Sequence, residues 1–365
     1  VIPKTPAAVP SALRGTVLLV LISLALCVPF ASAQSSSAEL YVIGIHPRGI
    51  AILDGSRDEI LAEIPTQGRT VKEIEPSPDG KRVYVTSEAR TQIEVVNLQE
   101  RKVEKVFKIT PPGERLIIFG MVLNHKGDQL YVHVKPVQEL ADEFKVLPPQ
   151  IWTVDVNTGE TRKILEVPHG ICLLSLTRDD RRLVAWGRDL YYIDLAQKRI
   201  VDTFPLMTVR QAGQSEYNTL PVWPLYERSG ISSVPYYTAD PVTKKELFGL
   251  AQLDVNTGKM ELLELGAPVP LYSSVVSPDR KRAYAVMNVL VAVDLQQKRV
   301  VQILDVNRTH YVLNISKDGK KLYAAGAGRS IEVFDTATMK RIKTVELSGD
   351  PGVSSFRALP ANAMQ

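Results

Sequence analysis

Cysteine is nearly absent, with Cys27 and Cys172 the two in 365 residues. Two thiols cannot build a disulfide framework, and without a Cys-x-x-Cys-His run the chain holds no covalent haem of its own. Histidine is scarce too. His46, His125, His133, His169 and His310 show no His-x-x-x-His spacing and no companion cysteine cluster, which argues against a structural zinc site. Any metal would have to be assembled across distant segments. There is no Gly-x-Ser-x-Gly elbow, phosphate loop or dinucleotide fingerprint, so the local signatures of the corresponding hydrolases and nucleotide enzymes are missing. A formal net charge of +4 is too weak to imply a nucleic-acid partner.

Long apolar runs are missing as well, apart from residues 17–30. Lys4 and Arg14 precede this run, and Ala31-Ser32-Ala33 follows it with small residues of the kind signal peptidase accepts. The stretch is shorter than the roughly 20 residues of a spanning helix. Residues 1–33 therefore read as an export signal and 34–365 as the mature, periplasmic and membrane-free part. Leu26 before Cys27 argues against a lipoprotein signal. Cleavage would leave Cys172 as the single thiol, in the apolar run 171–176, where a structural role is expected.

What is abundant is one repeated phrase. Ser77-Pro78-Asp79-Gly80-Lys81-Arg82 leads into Val83-Tyr84-Val85, then Ile93-Glu94-Val95-Val96-Asn97, then an apolar segment over 103–109. Ser316-Lys317-Asp318-Gly319 opens a near copy that runs through Leu322-Tyr323-Ala324 and Ile331-Glu332-Val333-Phe334-Asp335. Further copies begin at Asn124-His125-Lys126-Gly127, Thr177-Arg178-Asp179-Asp180 and Ser277-Pro278-Asp279-Arg280, and a divergent one covers 226–265. Repeats of 40 to 50 residues with four short strands are the signature of β-propeller blades, since one such sheet cannot bury both faces alone. Seven copies predict an all-β, seven-bladed propeller of four-stranded antiparallel blades. The first copy, 40–64, lacks its opening strand. Residues 352–359 follow the last blade and are expected to supply it, which closes the ring and removes free edges. The acids Asp54, Asp155, Asp194, Asp254, Asp294 and Asp335 recur at one repeat position, which points to turn formation rather than catalysis.

With strands lettered A to D from the axis outward, the A–B and C–D turns share one face and the B–C and D–A connections the other. The first face reads as tight turns throughout. The second carries three expansions, at 135–150, 206–220 and 238–246, and is the expected binding surface. Within 137–144 the i, i+4 pair Leu140 and Phe144 predicts a short helical turn packed on its own blade, ended by Pro148-Pro149. The same face gathers Trp186, Arg188 and Asp189, Tyr236 and Tyr237, Asn288, and His310 with Tyr311. Each of these also reads as an amphipathic side chain packed with one polar end wet.

Trp186-Gly187-Arg188-Asp189-Leu190-Tyr191-Tyr192-Ile193-Asp194 and Ser229-Gly230-Ile231-Ser232-Ser233-Val234-Pro235-Tyr236-Tyr237-Thr238-Ala239 resemble the beta subunit of quinohemoprotein amine dehydrogenase, a YVTN-type propeller. Tyr284-Ala285-Val286-Met287-Asn288-Val289-Leu290 and His310-Tyr311-Val312-Leu313-Asn314-Ile315-Ser316-Lys317-Asp318-Gly319 extend the similarity over most of the mature chain. The resemblance implies a periplasmic heterotrimer. In it a small subunit carries cysteine tryptophylquinone, a dihaem cytochrome c subunit with haem c accepts electrons, and a primary amine becomes an aldehyde and ammonia. The propeller in that family carries neither cofactor and no catalytic residue. On this reading Arg188, Tyr236, Tyr237, Asn288, His310 and Tyr311 contact the small subunit or line the amine cavity. Two other readings compete: a lactonase-like hydrolase working from the central channel, with Asp189 and His310 as its only obvious pair, and an autonomous binding module.

Overall fold

A computed structural model describes residues 39–209, 213 and 215–364. The export signal expected over 1–33 lies outside the described residues. Among those described, the chain is all β, with seven antiparallel blades.

Burial explains the strand sequences. In the second blade, strand B (Arg82–Ser87) and strand C (Gln92–Asn97) are buried along almost their whole length, because each blade packs between two others. Such strands read as near-continuous apolar runs. The outer strand D, Lys102–Phe107, has one wet face and interleaves Lys and Glu with Val. Charged outer strands also discourage edge-to-edge pairing with other molecules.

Each A–B turn of the Ser-Pro-Asp-Gly type is a small hydrogen-bond lattice. The Ser77 hydroxyl donates to Asp79 Oδ1 (2.5 Å) and accepts from the Arg82 amide (2.9 Å), while Asp79 Oδ1 also accepts from the Lys81 amide (3.0 Å). Gly80 takes φ +68°, a left-handed conformation that costs glycine little. Ser277 with Asp279 and Ser316 with Asp318 repeat the lattice, and Thr177 with Asp179 does so with a threonine hydroxyl. The acids at the ends of strands C work similarly. Asp155 Oδ1 accepts the amides of Asn157 and Thr158 at 2.9 Å each, and Asp254, Asp294 and Asp335 bind equivalent amides.

Ring closure follows the expected route. Phe356–Ala358 is the inner strand of the first blade and pairs antiparallel with Leu40–Gly44, with Val42 opposite Arg357 and Ile43 opposite Phe356. The last strand in sequence thus joins the first.

Two local expectations need correction. Residues 137–144 form no helical turn. Strand B of the third blade runs on as Gln129–Glu139, turns through 140–143, and returns as Phe144–Val146. Strand A is also long there, Glu114–Leu123, so both sides of the extension find backbone partners, Arg115 opposite Val137 and Phe144 opposite Glu139. A ready ladder on two sides outweighs a weak i, i+4 pair, since intrinsic helix preference is a small term. Phe144 is 65% exposed, and what its ring meets on its own blade is the Arg115 guanidinium, 5.5 Å from the ring centre.

The fifth blade also departs from the expected tight A–B turns. Strand A is only Asn218–Thr219, strand B begins at Ile231, and the intervening 220–230 segment leaves the sheet.

Phe356 is fully buried, edge-on to Tyr41 (5.8 Å between ring centres) and Tyr323 (6.4 Å) at the ring seam. Phe356→Ala should lower the unfolding free energy by about 3–5 kcal/mol, the usual cost of truncating a buried phenylalanine. Chemical denaturation followed by far-UV circular dichroism would measure it. A loss under about 1 kcal/mol would mean that the seam is not closed by this strand.

Candidate functional site

The 220–230 segment determines what the centre of the ring can do. Its contacts lie on blades one, two and seven, across the ring from the blade that supplies it. Lys72 Nζ approaches Val222 O at 3.4 Å, the Trp223 indole N–H donates to Val353 O at 3.2 Å, and Arg228 reaches Ile315 O at 3.3 Å. A chain leaving blade five can make these contacts only by crossing the central channel. It passes from the D–A side, near Lys72 and Val353, to the A–B side, near Glu39 and Ile315. Trp223 and Leu225 are buried in the apolar cluster of blades six, seven and one. The fifth blade's inner strand has, in effect, become a plug.

Ion pairs fasten the far end of that plug. Arg357, on the closing strand and only 3% exposed, donates through Nη1 to Glu75 Oε1 (2.5 Å) and Ile74 O (2.9 Å), and through Nε to Glu227 of the plug. The Tyr226 ring lies 5.5 Å from the guanidinium. Beside it Arg228 donates to Glu39 Oε1 at 2.8 Å and stands over the Tyr41 ring at 5.3 Å. Burial pushes the Glu75 carboxyl up to about 7 even against the pull of Arg357. A cavity of about 500 Å³ opens here on the A–B face.

The opposite face carries the expansions, as the loop lengths suggested. Asp189 organises one of them. Its Oδ1 accepts the amides of Leu206 (2.9 Å), Met207 (3.1 Å) and Thr208 (3.0 Å), and its Oδ2 accepts the Thr208 hydroxyl at 2.6 Å. Burial works to raise this carboxyl, but the four donors outweigh it and hold it below the usual range. Both oxygens are spent on fixing the connection. A cavity of about 740 Å³ lies nearby, between that connection and the Asp240 turn, with Tyr237, Thr238 and Lys244 in its wall. A second, of about 420 Å³, opens over the channel mouth beside Tyr311, Lys72 and Arg90.

The six sequence candidates occupy different depths. Arg188 and Asn288 are exposed in B–C turns, and Asn288 Oδ1 accepts from the Thr309 hydroxyl at 2.6 Å. Tyr311 is half-buried at the mouth cavity, its ring 5.5 Å from that of Tyr272. Tyr236 is buried between blades four and five, edge-on to Tyr217 at 5.2 Å. The Tyr237 hydroxyl accepts the Leu271 amide (2.6 Å) and donates to Val269 O (2.9 Å). His310 is fully buried, with Nε2 3.4 Å from Glu332 Oε2, and burial lowers its pKa to about 4 although Glu332 pulls it up. The structure therefore gathers no single cluster from the six. Asp189 and His310 have separate partners on separate blades and make no pair.

Cys172 is half-buried, its thiol donating to Gly170 O at 3.2 Å, and burial raises its pKa, so the protonated form is favoured. Sequence reasoning missed Lys72, Arg357 and the plug. The signal for the plug was present in Pro221, Trp223 and Pro224, which interrupt the strand pattern where an inner strand should run.

No family model matches the chain, and no curated protein matches it. Solved structures do. Hydrazine synthase of Kuenenia stuttgartiensis aligns over 83% of this chain and 90% of its own at a TM-score of 0.56 and 16% identity. Dihydro-heme d1 dehydrogenase NirN, solved in complex with DHE, aligns over 85% of this chain and 74% of its own, at 0.54 and 16%. A protein of unknown function from Desulfotomaculum acetoxidans aligns over 88% and 99%, at 0.54 and 13%. At such identities the likeness is one of fold, the propeller.

The Glu75 shift has a testable sign. A carboxyl whose folded pKa is near 7 binds more protons in the folded than in the unfolded chain between about pH 4.5 and 7. Its contribution therefore destabilises the fold as pH rises through that window and is relieved as pH falls. Compared with Glu75→Gln, the wild type should gain stability on going from pH 7 to pH 5. Paired denaturation curves at the two pH values give the difference, and a constant or opposite difference refutes the assignment.

Proposed function

We propose that this chain is a cofactor-free propeller subunit of a periplasmic redox complex of the quinohemoprotein amine dehydrogenase kind, and that its long-loop face seats the quinone-bearing small subunit. One observation carries the reading. All three expansions lie on one face, while the channel below them is occupied by the chain's own Trp223 and Leu225. A propeller arranged this way offers a rigid rim for a partner rather than an active centre on its axis. The first two fold neighbours carry names of redox proteins, a hydrazine synthase and a dihydro-heme d1 dehydrogenase, which supports a redox setting for this chain.

Arg188, Asn288 and Tyr311 are the proposed partner-facing side chains, since each is wet or half-wet on that face. Tyr236, Tyr237 and His310 stand behind them and hold the strands that present them. Seating a partner over the rim would exclude water from the amine cavity, and a low dielectric strengthens the electrostatics of proton abstraction there. Cysteine tryptophylquinone on the small subunit and haem c on the dihaem cytochrome subunit would supply the electron chemistry. A channel-based hydrolase loses its support, because Asp189 is saturated by the 206–208 connection and does not meet His310.

Purification of the chain from its native host tests the proposal. The expected outcome is co-elution with a haem-absorbing partner in the periplasmic fraction, with Arg188→Glu weakening the complex at least tenfold. A lone, colourless chain would overturn it in favour of an autonomous binding module.

A further inference from the structure

The cavity over the channel mouth contains an unusual cation. Lys72 is 2% exposed, yet its ammonium has only two acceptors among the described residues, both long: Val222 O at 3.4 Å and Glu73 Oε1 at 3.5 Å. Ordinary N–H···O bonds lie at about 2.7–3.2 Å. A buried charge with such loose partners carries an unrecovered desolvation cost. Burial accordingly lowers its pKa from the ordinary lysine value, Glu73 opposes that, and the Arg90 charge adds to it.

Glu73, 3.5 Å from Lys72, is the carboxylate nearest that ammonium, and it stands outside the cavity wall. Arg90, like Lys72 in the cavity wall, stacks over Phe119 at 4.7 Å and pairs with no carboxylate among the described residues. Lys135 lies over the same ring at 3.8 Å. Asp350 is the acid in the wall, and its two oxygens are taken by the amides of Gly328 (3.0 Å) and Gly352 (2.6 Å). Val71, Tyr311, Pro351 and Val353 supply an apolar lining to a space of about 420 Å³. Cations with loosely satisfied N–H donors at one end and hydrocarbon along the walls describe the complement of an amphiphilic anion.

We propose that this cavity binds a small monocarboxylate with an apolar tail, its carboxylate on Lys72 and Arg90 and its tail along Val71, Tyr311 and Val353. The site belongs to this chain alone, so the inference goes beyond the docking proposal and survives or fails separately from it. Occupancy would complete the Lys72 hydrogen bonds and cap the channel above Trp223, whose ring lies 5.7 Å from Lys72 Nζ.

Titration calorimetry of the full chain with hexanoate, backed by indole fluorescence, is the test. Saturable binding at one site is expected, with hexanamide, hexylamine and acetate each at least tenfold weaker. Lys72→Met should weaken hexanoate at least tenfold, and Arg90→Gln, which alters a partly exposed side chain, at least threefold. The Arg90 variant keeps the test decisive should the Lys72 variant fail to fold. Hexanamide or hexylamine binding as tightly as hexanoate, unsaturable uptake, or hexanoate affinity unchanged by Arg90→Gln would each overturn the proposal.

Discussion

One guanidinium joins the parts that make this ring a closed and filled structure. Arg357 sits on the strand that completes the first blade, pairs with Glu75 on the inner strand of the second, and reaches Glu227 on the segment sent across by the fifth. Closure and plugging are therefore coupled. Its own burial is costly, and excellent geometry with several acceptors is what offsets such a cost. Arginine suits the place because it stays charged and its planar fork can serve three acceptors at once. Even with Arg357 beside it, burial holds the Glu75 carboxyl above the usual carboxylate range.

Sending the fifth blade's inner strand across the axis changes where function can reside. Trp223 and Leu225 take the space that an open channel would leave, so ligand access is confined to the two mouths and the rims. The two rims differ for a physical reason. On the A–B side, most turns are held by the same Ser/Thr–Asp lattice, which leaves little freedom to insert residues. On the other side, a connection can lengthen provided something satisfies its backbone, as Asp189 does for residues 206–208 and the paired ladder does for the third blade's hairpin. Asp189 in particular reads as chemistry in one dimension and as scaffolding in three.

Much of the architecture was legible because its determinants are local. The Ser-Pro-Asp-Gly phrases and the acids at 54, 155, 194, 254, 294 and 335 mark turns through hydrogen bonds spanning two to five residues. Apolar segments between them mark strands at repeat spacing. The closing strand could be named because a copy lacked its first element and the tail had a spare one. The candidate site was less legible. Exposed Arg188 and Asn288 and buried Tyr236 sit in similar-looking strand-end phrases, and only the packing of blades four and five separates them.

Blade count, strand order within a blade, the closing segment and the face with the long connections were thus readable in one dimension, because the turns are marked by hydrogen bonds over a few residues and the repeat spacing shows which copy lacks a strand and which connections are long. Only the folded ring shows that residues 220–230 cross the axis, that Arg357 ties Glu75 to Glu227, and that Lys72 is buried with loosely bound N–H donors. Those outcomes depend on partners separated by some 130 to 280 positions along the chain. Such partners meet only once the ring has closed, and no local pattern encodes the meeting.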